Sequence, residues 1–182
     1  MDEVIKAALA EMEIRSVRFT MEDLTRRLRM SKTSLYKIVT SKEQLIHAII
    51  DYLMSEFQRE VNEVRGENFP LAEKLRRFIR AYTKAFRYFE RGTYSDLKNF
   101  YPQEWARWEE FRRQRIDNLM TMLQFGIDDG VLRPINLQIL QRCLLVMSES
   151  LTDTKFLAEN NLTYSQAVED MCDWMFNGFL QK

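Results

Sequence analysis

The chain has 182 residues, 46% of them apolar, and a formal net charge of zero, which is enough apolar material to close a core and excludes a disordered segment. No stretch approaches the roughly 20 apolar residues that cross a bilayer, and the first residues carry acids, so a soluble cytoplasmic protein without a membrane partner is expected. Cys143 and Cys172 sit in apolar helical patterns with neither CxxC spacing nor histidine neighbours, which favours two buried thiols over a disulfide or a zinc site.

Only five Gly and three Pro punctuate the chain, and no strand-like alternation is visible, so the fold class is all-α. The pattern predicts helices over 2–15, 21–28, 32–38, 42–65, 70–91, 95–100, 103–129, 137–159 and 164–180. Thr20 with Asp23, Ser41 with Gln44 and Thr163 with Gln166 are spaced as helix-starting caps. Gly66, Gly92 and Gly130 are placed to end helices, while Pro70 and Pro102 suit first turns. An apolar series Leu45, Ile46, Ile49, Ile50, Leu53 and Phe57 runs through the long fourth helix, across a domain boundary expected near Met54. Residues 1–54 would form one domain and 55–182 another, joined mechanically by that helix.

Charge is unevenly distributed. Between Arg15 and Lys42 stand eight basic residues against two acidic ones, a local balance of +6. Within this run, two short predicted helices are separated by a few residues around Arg29 to Ser31, the spacing of a helix-turn-helix. Met21, Leu24 and Leu28 share one face of the first, and Leu35 and Val39 share one face of the second. Lys32, Thr33, Tyr36 and Lys37 are left to project outward. In a docked helix-turn-helix the start of the second helix meets base edges, and flanking cations and hydroxyls hold phosphates.

Ser31-Lys32-x-x-Leu35-Tyr36 followed by Ser41-Lys42-Glu43-x-Leu45 resembles the signature of the TetR family of transcription regulators. The motif covers about residues 4–50; the remainder is similar only in helix length and order. The resemblance implies an N-terminal three-helix DNA-binding domain, joined by a long helix to a C-terminal helical ligand-binding and dimerisation domain. It implies that Lys32, Thr33 and Ser34 approach bases, that Tyr36 and Lys42 touch phosphates, and that Thr20 anchors the preceding helix to the DNA backbone. Lys37 joins them as an outward cation. Three residues depart from the family pattern: Arg29 replaces a turn glycine, Thr33 stands where glycine is frequent, and Val39 replaces an aromatic. Arg29 is therefore expected to take a left-handed conformation or to alter the turn.

Twelve of the 22 aromatic residues fall between Phe78 and Phe125. Their helical spacing makes plain core packing the first reading of each one. Taken together, Tyr82, Phe86, Phe89, Tyr101, Trp105, Trp108, Phe111 and Met120 would line an adaptable cavity. The family resemblance implies a small-molecule effector there. Asp96, Glu104 and Glu109 would suit a lipophilic cation, and Arg80, Arg87, Lys98 and Arg107 an acid; the sequence leaves both open. The last two predicted helices carry apolar stripes, Leu140, Leu144, Met147 and Leu151 on one, and Val168, Met171, Met175 and Phe179 on the other. By resemblance these form a homodimer interface, with packing inside one chain as the alternative, and a two-fold pair would read a palindromic operator on double-stranded DNA.

The chain has one histidine, no glycine-rich phosphate loop and no metal-spaced cluster, so no enzyme, no metal and no cofactor are expected. His47 reads as a packed or capping residue. Glu109 and Glu110 with Arg112, Arg113 and Arg115 read as a solvated helix face. The reading is a regulator, repressor rather than activator, released by its ligand; the alternative is a helical protein-interaction module that keeps the fold without binding DNA.

Overall fold

Thr20 starts its helix through a reciprocal pair of bonds. Its hydroxyl accepts from the Asp23 amide at 3.1 Å, and its amide donates to the Asp23 carboxylate at 2.8 Å. Such a box satisfies donors that the first helical turn leaves without partners. Ser31 accepts from the Ser34 amide at 3.0 Å, and Ser41 from the Gln44 amide at 3.1 Å, so two further starts are fixed the same way. In the computed structural model, which describes residues 1–66, 69–89 and 92–177, these caps open three helices of an all-α chain. The order is α1 (Asp2–Arg15), a 3-10 turn (Ser16–Arg18), α2 (Met21–Leu28), α3 (Lys32–Ile38), α4 (Lys42–Gly66), α5 (Leu71–Phe86), α6 (Thr93–Phe100), α7 (Pro102–Asp128), α8 (Leu137–Ser150), α9 (Thr154–Glu159) and α10 (Tyr164–Asn177).

Val4, Leu9 and Met12 of α1 meet Leu24 of α2, Leu35 of α3 and Leu45, Ile46 and Ile49 of α4 in one buried cluster. Each such side chain contributes about 1.5–3 kcal/mol on leaving water. The buried Glu11 carboxylate ties the group together, accepting from Arg27 at 2.7 Å and pairing with Arg15. Arg29 closes α2 with φ 52° and ψ 40°, the left-handed conformation anticipated for a residue in a glycine's place. Val39 is fully buried and seals the unit despite lacking a ring.

α4 then passes without a break into the larger part of the chain. Its residues Leu53, Phe57 and Val61 are buried, and Phe57 meets Phe78 and Phe111 edge-on at 5.5 and 5.4 Å. α5 and α7 pack against this extension, α10 packs on α5, and α8 packs on α7.

Two predicted boundaries are corrected. Gly92, at φ 85°, sits at the N-terminus of α6 and does not close the preceding helix, which ends at Phe86. The single helix expected over 137–159 is two, because the Asp153 carboxylate accepts from the amides of Lys155 and Phe156 at 2.9 and 3.2 Å and starts a new one. A Thr-Asp-Thr run at 152–154 was the available sign of that start. The Phe86 side chain and Phe179 lie outside the described residues.

Candidate functional site

The +6 balance of the N-terminal run resolves into paired and unpaired cations. Arg15 and Arg27 share Glu11, Arg26 lies near Glu22 and Asp23, and Arg18 pairs with Asp96. Arg29, Lys32 and Lys37 have no ion-pair partner among the described residues. All three are exposed, and they flank the start and outer face of α3. Thr33 and Tyr36 are exposed beside them, with Tyr36 at 39%. Leu35 is wholly buried and fixes which way this face points.

Three of the expected DNA contacts are engaged elsewhere. The Thr20 hydroxyl donates to Asp23 at 2.8 Å in addition to its capping bond, and the Ser34 hydroxyl lies 2.9 Å from that of Ser31. Lys42 turns inward: its ammonium donates to the Val17 carbonyl at 2.6 Å and lies over the rings of Phe19 and Tyr101, at 4.8 and 5.9 Å. Burial pulls the Lys42 ammonium below its ordinary pKa, as expected for a cation losing water. The reason is geometric: the first turn of α4 passes under the Val17–Phe19 bend, and a four-carbon stem of this length reaches its carbonyl.

This bend also meets the larger part of the chain. Arg18 donates to Asp96 of α6 through Nε at 3.0 Å and Nη2 at 2.6 Å. Further along α4, Glu104 of α7 meets His47 at 2.8 Å and accepts from Arg107 at 2.6 Å, while Arg107 also pairs with Asp51. α6 and α7 are thus fastened to the helix-turn-helix unit by charged contacts.

Inside the larger part, Arg115 of α7 is 7% exposed, and its Nε and Nη1 are buried without a hydrogen-bond partner. Its guanidinium lies 3.5 Å from the Tyr82 ring centroid, with the rings of Phe57 and Phe111 at 5.2 and 5.4 Å. No carboxylate pairs with it among the described residues. Ring contacts of this kind return about 2 kcal/mol when desolvated, against a penalty of several kcal/mol for burying an ion. Burial accordingly pulls the guanidinium pKa below its ordinary value, and an arginine remains charged even so. Arg115 borders a cavity of about 50 Å³ with Phe78, Ile79, Leu144, Met171 and Cys172. A cleft of about 550 Å³ between α5 and α10 adjoins it and shares Ile79 and Cys172 as walls.

No protein-family model matches the chain. The helix-turn-helix-type transcriptional regulator YvaF of Bacillus subtilis (strain 168), described as uncharacterized, is 22% identical over 161 residues, 88% of this chain and 85% of the relative. The crystal structure of PfmR, a TetR family transcriptional regulator from Thermus thermophilus, superposes with a TM-score of 0.70 at 20% identity, over 98% of this chain and 99% of that one. The fold is that of the TetR family. AibR, crystallised with isovaleryl coenzyme A and operator DNA, has the same TetR fold, with a TM-score of 0.65 at 20% identity over 98% of each chain.

Within this TetR fold, most of the aromatic residues read as a ligand wall pack against one another. Trp108 stacks on Phe89 at 5.0 Å and on Tyr82 at 6.2 Å, and all three are buried. Phe111 stands against Phe57 and Trp108, Met120 is buried in the core, and Tyr101 faces Lys42. Trp105 and Trp108 border a cleft of about 220 Å³ with Lys98 and Glu109, and Tyr82 borders the inner cavity. The acids considered as partners for a cationic ligand are already paired: Asp96 with Arg18, Glu104 with Arg107, Glu109 with Arg112.

The stripe expected to dimerise also faces inward. Leu144, Val168 and Met171 are buried in the protomer's own core, and Leu140, Met147, Leu151 and Met175 pack partly against it. The apolar residues of α8 that remain outside are Ile139 at 62% and Val146 at 50%, and Cys143 between them, expected to be buried, is exposed because it falls on this same outer face. Trp174 of α10 is 49% exposed.

Arg112 and Arg115 are the residues that the solvated-face reading of α7 misplaced. Arg113 and Glu110 are exposed, but Arg112 and Arg115 are buried. The signal was present: Arg115 falls on the Ile116, Leu119 and Leu123 stripe, and no acid stands three or four residues from it in either direction.

Proposed function

We propose that this protein is a sequence-specific DNA-binding transcription regulator that acts as a homodimer in the cytoplasm. The observation that carries the reading is the outer face of α3, where Lys32 and Lys37 stand exposed without ion-pair partners beside Thr33 and Tyr36. Thr33 and Lys32 lie in the first turn, the part of a recognition helix that meets base edges, while Tyr36, Lys37 and Arg29 are set to hold phosphates. Residues 1–54 form the DNA-reading unit in this view, and 55–182 the ligand and dimer unit. The likeness to YvaF, and to AibR with its operator, supports the same reading.

Repression relieved by a small molecule is the mode we favour. Two recognition helices about 34–36 Å apart fit successive major grooves, and a ligand that prefers another separation draws the population away from that fit. The contacts Arg18–Asp96 and His47–Glu104 transmit the change, since each joins the N-terminal unit to a helix bordering the interior of the other. Dimer contacts are assigned to Ile139, Cys143 and Val146 on α8, because the stripe read from the sequence is occupied within the protomer.

Selection of bound duplexes from a random library, repeated at several salt concentrations, tests the function. A palindromic site, with affinity falling steeply as salt rises, is the expected result. Absence of any enriched site with a folded, dimeric protein would replace this reading with that of a protein-interaction module.

A further inference from the structure

Arg115 is a charge with no counter-charge among the described residues. The cavity it borders is also lined by Tyr82 and Tyr164, whose hydroxyls lie 2.9 Å from each other, by Ser148, whose hydroxyl Arg112 reaches at 3.1 Å, and by Cys172. The adjacent cation, Arg112, is paired with Glu109 and neutralises nothing here. Among the described residues one positive charge is therefore left over at the wall of an apolar cavity, and its buried Nε and Nη1 make no hydrogen bond.

The enclosure has a definite shape. Its inner end, about 50 Å³, holds one or two water-sized groups, given the roughly 30 Å³ share of a water in the liquid. It does not hold a hydrocarbon chain. The adjoining cleft does: Leu71, Leu75, Ile79 and Leu132 supply its apolar wall. Glu169, Asp170 and Asp173 border that cleft together with Arg76 and Arg80, so its mouth gives an anion no net attraction, and selection for negative charge resides at the inner end.

We propose that this site binds an apolar monocarboxylate, its head held by Arg115 in the inner cavity and its hydrocarbon part extending past Ile79 and Cys172 into the α5–α10 cleft. A single guanidinium balances a single negative charge. A phosphate dianion would leave one charge uncompensated in an apolar cavity, and a cation would meet Arg115 directly. The inference rests on the regulator reading for its consequence in gene control, not for the binding itself.

Calorimetric titration of the full chain with sodium octanoate, octan-1-ol and octylammonium tests it. Octanoate is expected to bind at least about tenfold tighter than octanol, and octylammonium more weakly than either. Arg115→Met keeps an apolar stem of similar length and should abolish the preference for octanoate while sparing octanol. A thermal melt of the variant establishes that it is folded. Should R115M fail to fold, Ile79→Trp, at a half-buried wall between cavity and cleft, should lower octanoate affinity at least about tenfold. Equal binding of octanoate and octanol overturns the assignment, as does a folded R115M that retains the preference. Operator binding is measured separately: octanoate binding without an operator would sink the regulator reading alone, and an operator without octanoate binding would sink this site alone.

Discussion

Arg18 and Asp96 meet across the junction of the two parts of the chain, with two guanidinium nitrogens donating to a single carboxylate oxygen. Asp96 is buried, whereas Arg18 is exposed and lies over the Phe100 ring at 5.2 Å. The pair raises the Arg18 guanidinium above its ordinary pKa, chiefly through the hydrogen bond, so it stays charged throughout the physiological range. Removing Arg18 leaves a buried carboxylate that no longer receives its donors. Arg18→Ala and Asp96→Ala should each lower Tm by roughly a few degrees, and the double variant should be no worse than the poorer single one. Strictly additive losses in that thermal double-mutant cycle would show the two residues to be uncoupled.

Substitutions on the α3 face should separate into two kinds. Lys37→Ala should weaken all duplexes alike and reduce the slope of log affinity against log salt by about 1, whereas Thr33→Ala or Lys32→Ala should change which sequence is preferred. Lys42→Met should lower duplex affinity less than Lys37→Ala does, because the Lys42 ammonium is held by the Val17 carbonyl. Fluorescence anisotropy on a selected site at three salt concentrations measures all four. An equal salt slope for K37A and the parent protein would remove Lys37 from the phosphate contacts.

Arg29 carries backbone strain that glycine would not. A side chain at φ 52° costs about 1–2 kcal/mol, of which glycine's greater freedom in the unfolded chain cancels a part. Arg29→Gly should therefore raise stability by up to about 1 kcal/mol in urea unfolding. It should also weaken duplex binding by losing a cation, so a variant both less stable and tighter-binding would contradict both roles.

The two thiols should behave differently. Burial pushes Cys172 up to about 12 from 9.0, while Cys143 is exposed. Iodoacetamide near pH 8 should label Cys143 and leave Cys172 unmodified until the chain unfolds, as read by mass spectrometry of the peptides. For Cys172 the folded value lies above the unfolded one, so its contribution to stability is complete below pH 9 and is lost as pH rises toward about 12. Tyr94 and Tyr164, also raised by burial, act in the same direction. The Tm of the parent protein should consequently fall more steeply above pH 9 than that of Cys172→Ala.

The exposed face of α8 supplies the oligomerisation test. Ile139→Asp combined with Val146→Asp places two charges where burial against a second copy is proposed, at positions that a lone protomer leaves in water. Sedimentation should show a monomer, and circular dichroism should show unchanged helicity. A dimer that survives both changes would place the interface elsewhere.

Local chemistry determines much of this protein without the help of tertiary contacts. The caps at Thr20, Ser41 and Thr163, the first-turn Pro102 and the helical spacing of Leu24, Leu35 and Leu45 act within a few residues, so the helix-turn-helix and most helix boundaries were legible in the sequence. Asp153 acts just as locally, but the apolar run on both sides of it concealed a break. What required the tertiary structure was the fate of groups that meet only through space. Whether Lys42 faces solvent or the Val17 carbonyl depends on how α4 passes beneath a distant bend. Whether the Leu144 and Met171 stripes face a partner or their own core depends on which side of each helix the neighbouring helices cover. An arginine among apolar residues is compatible with a surface or an interior, and only the packing of α5, α7, α8 and α10 decided that Arg115 is enclosed, because its burial is a property of all four helices together.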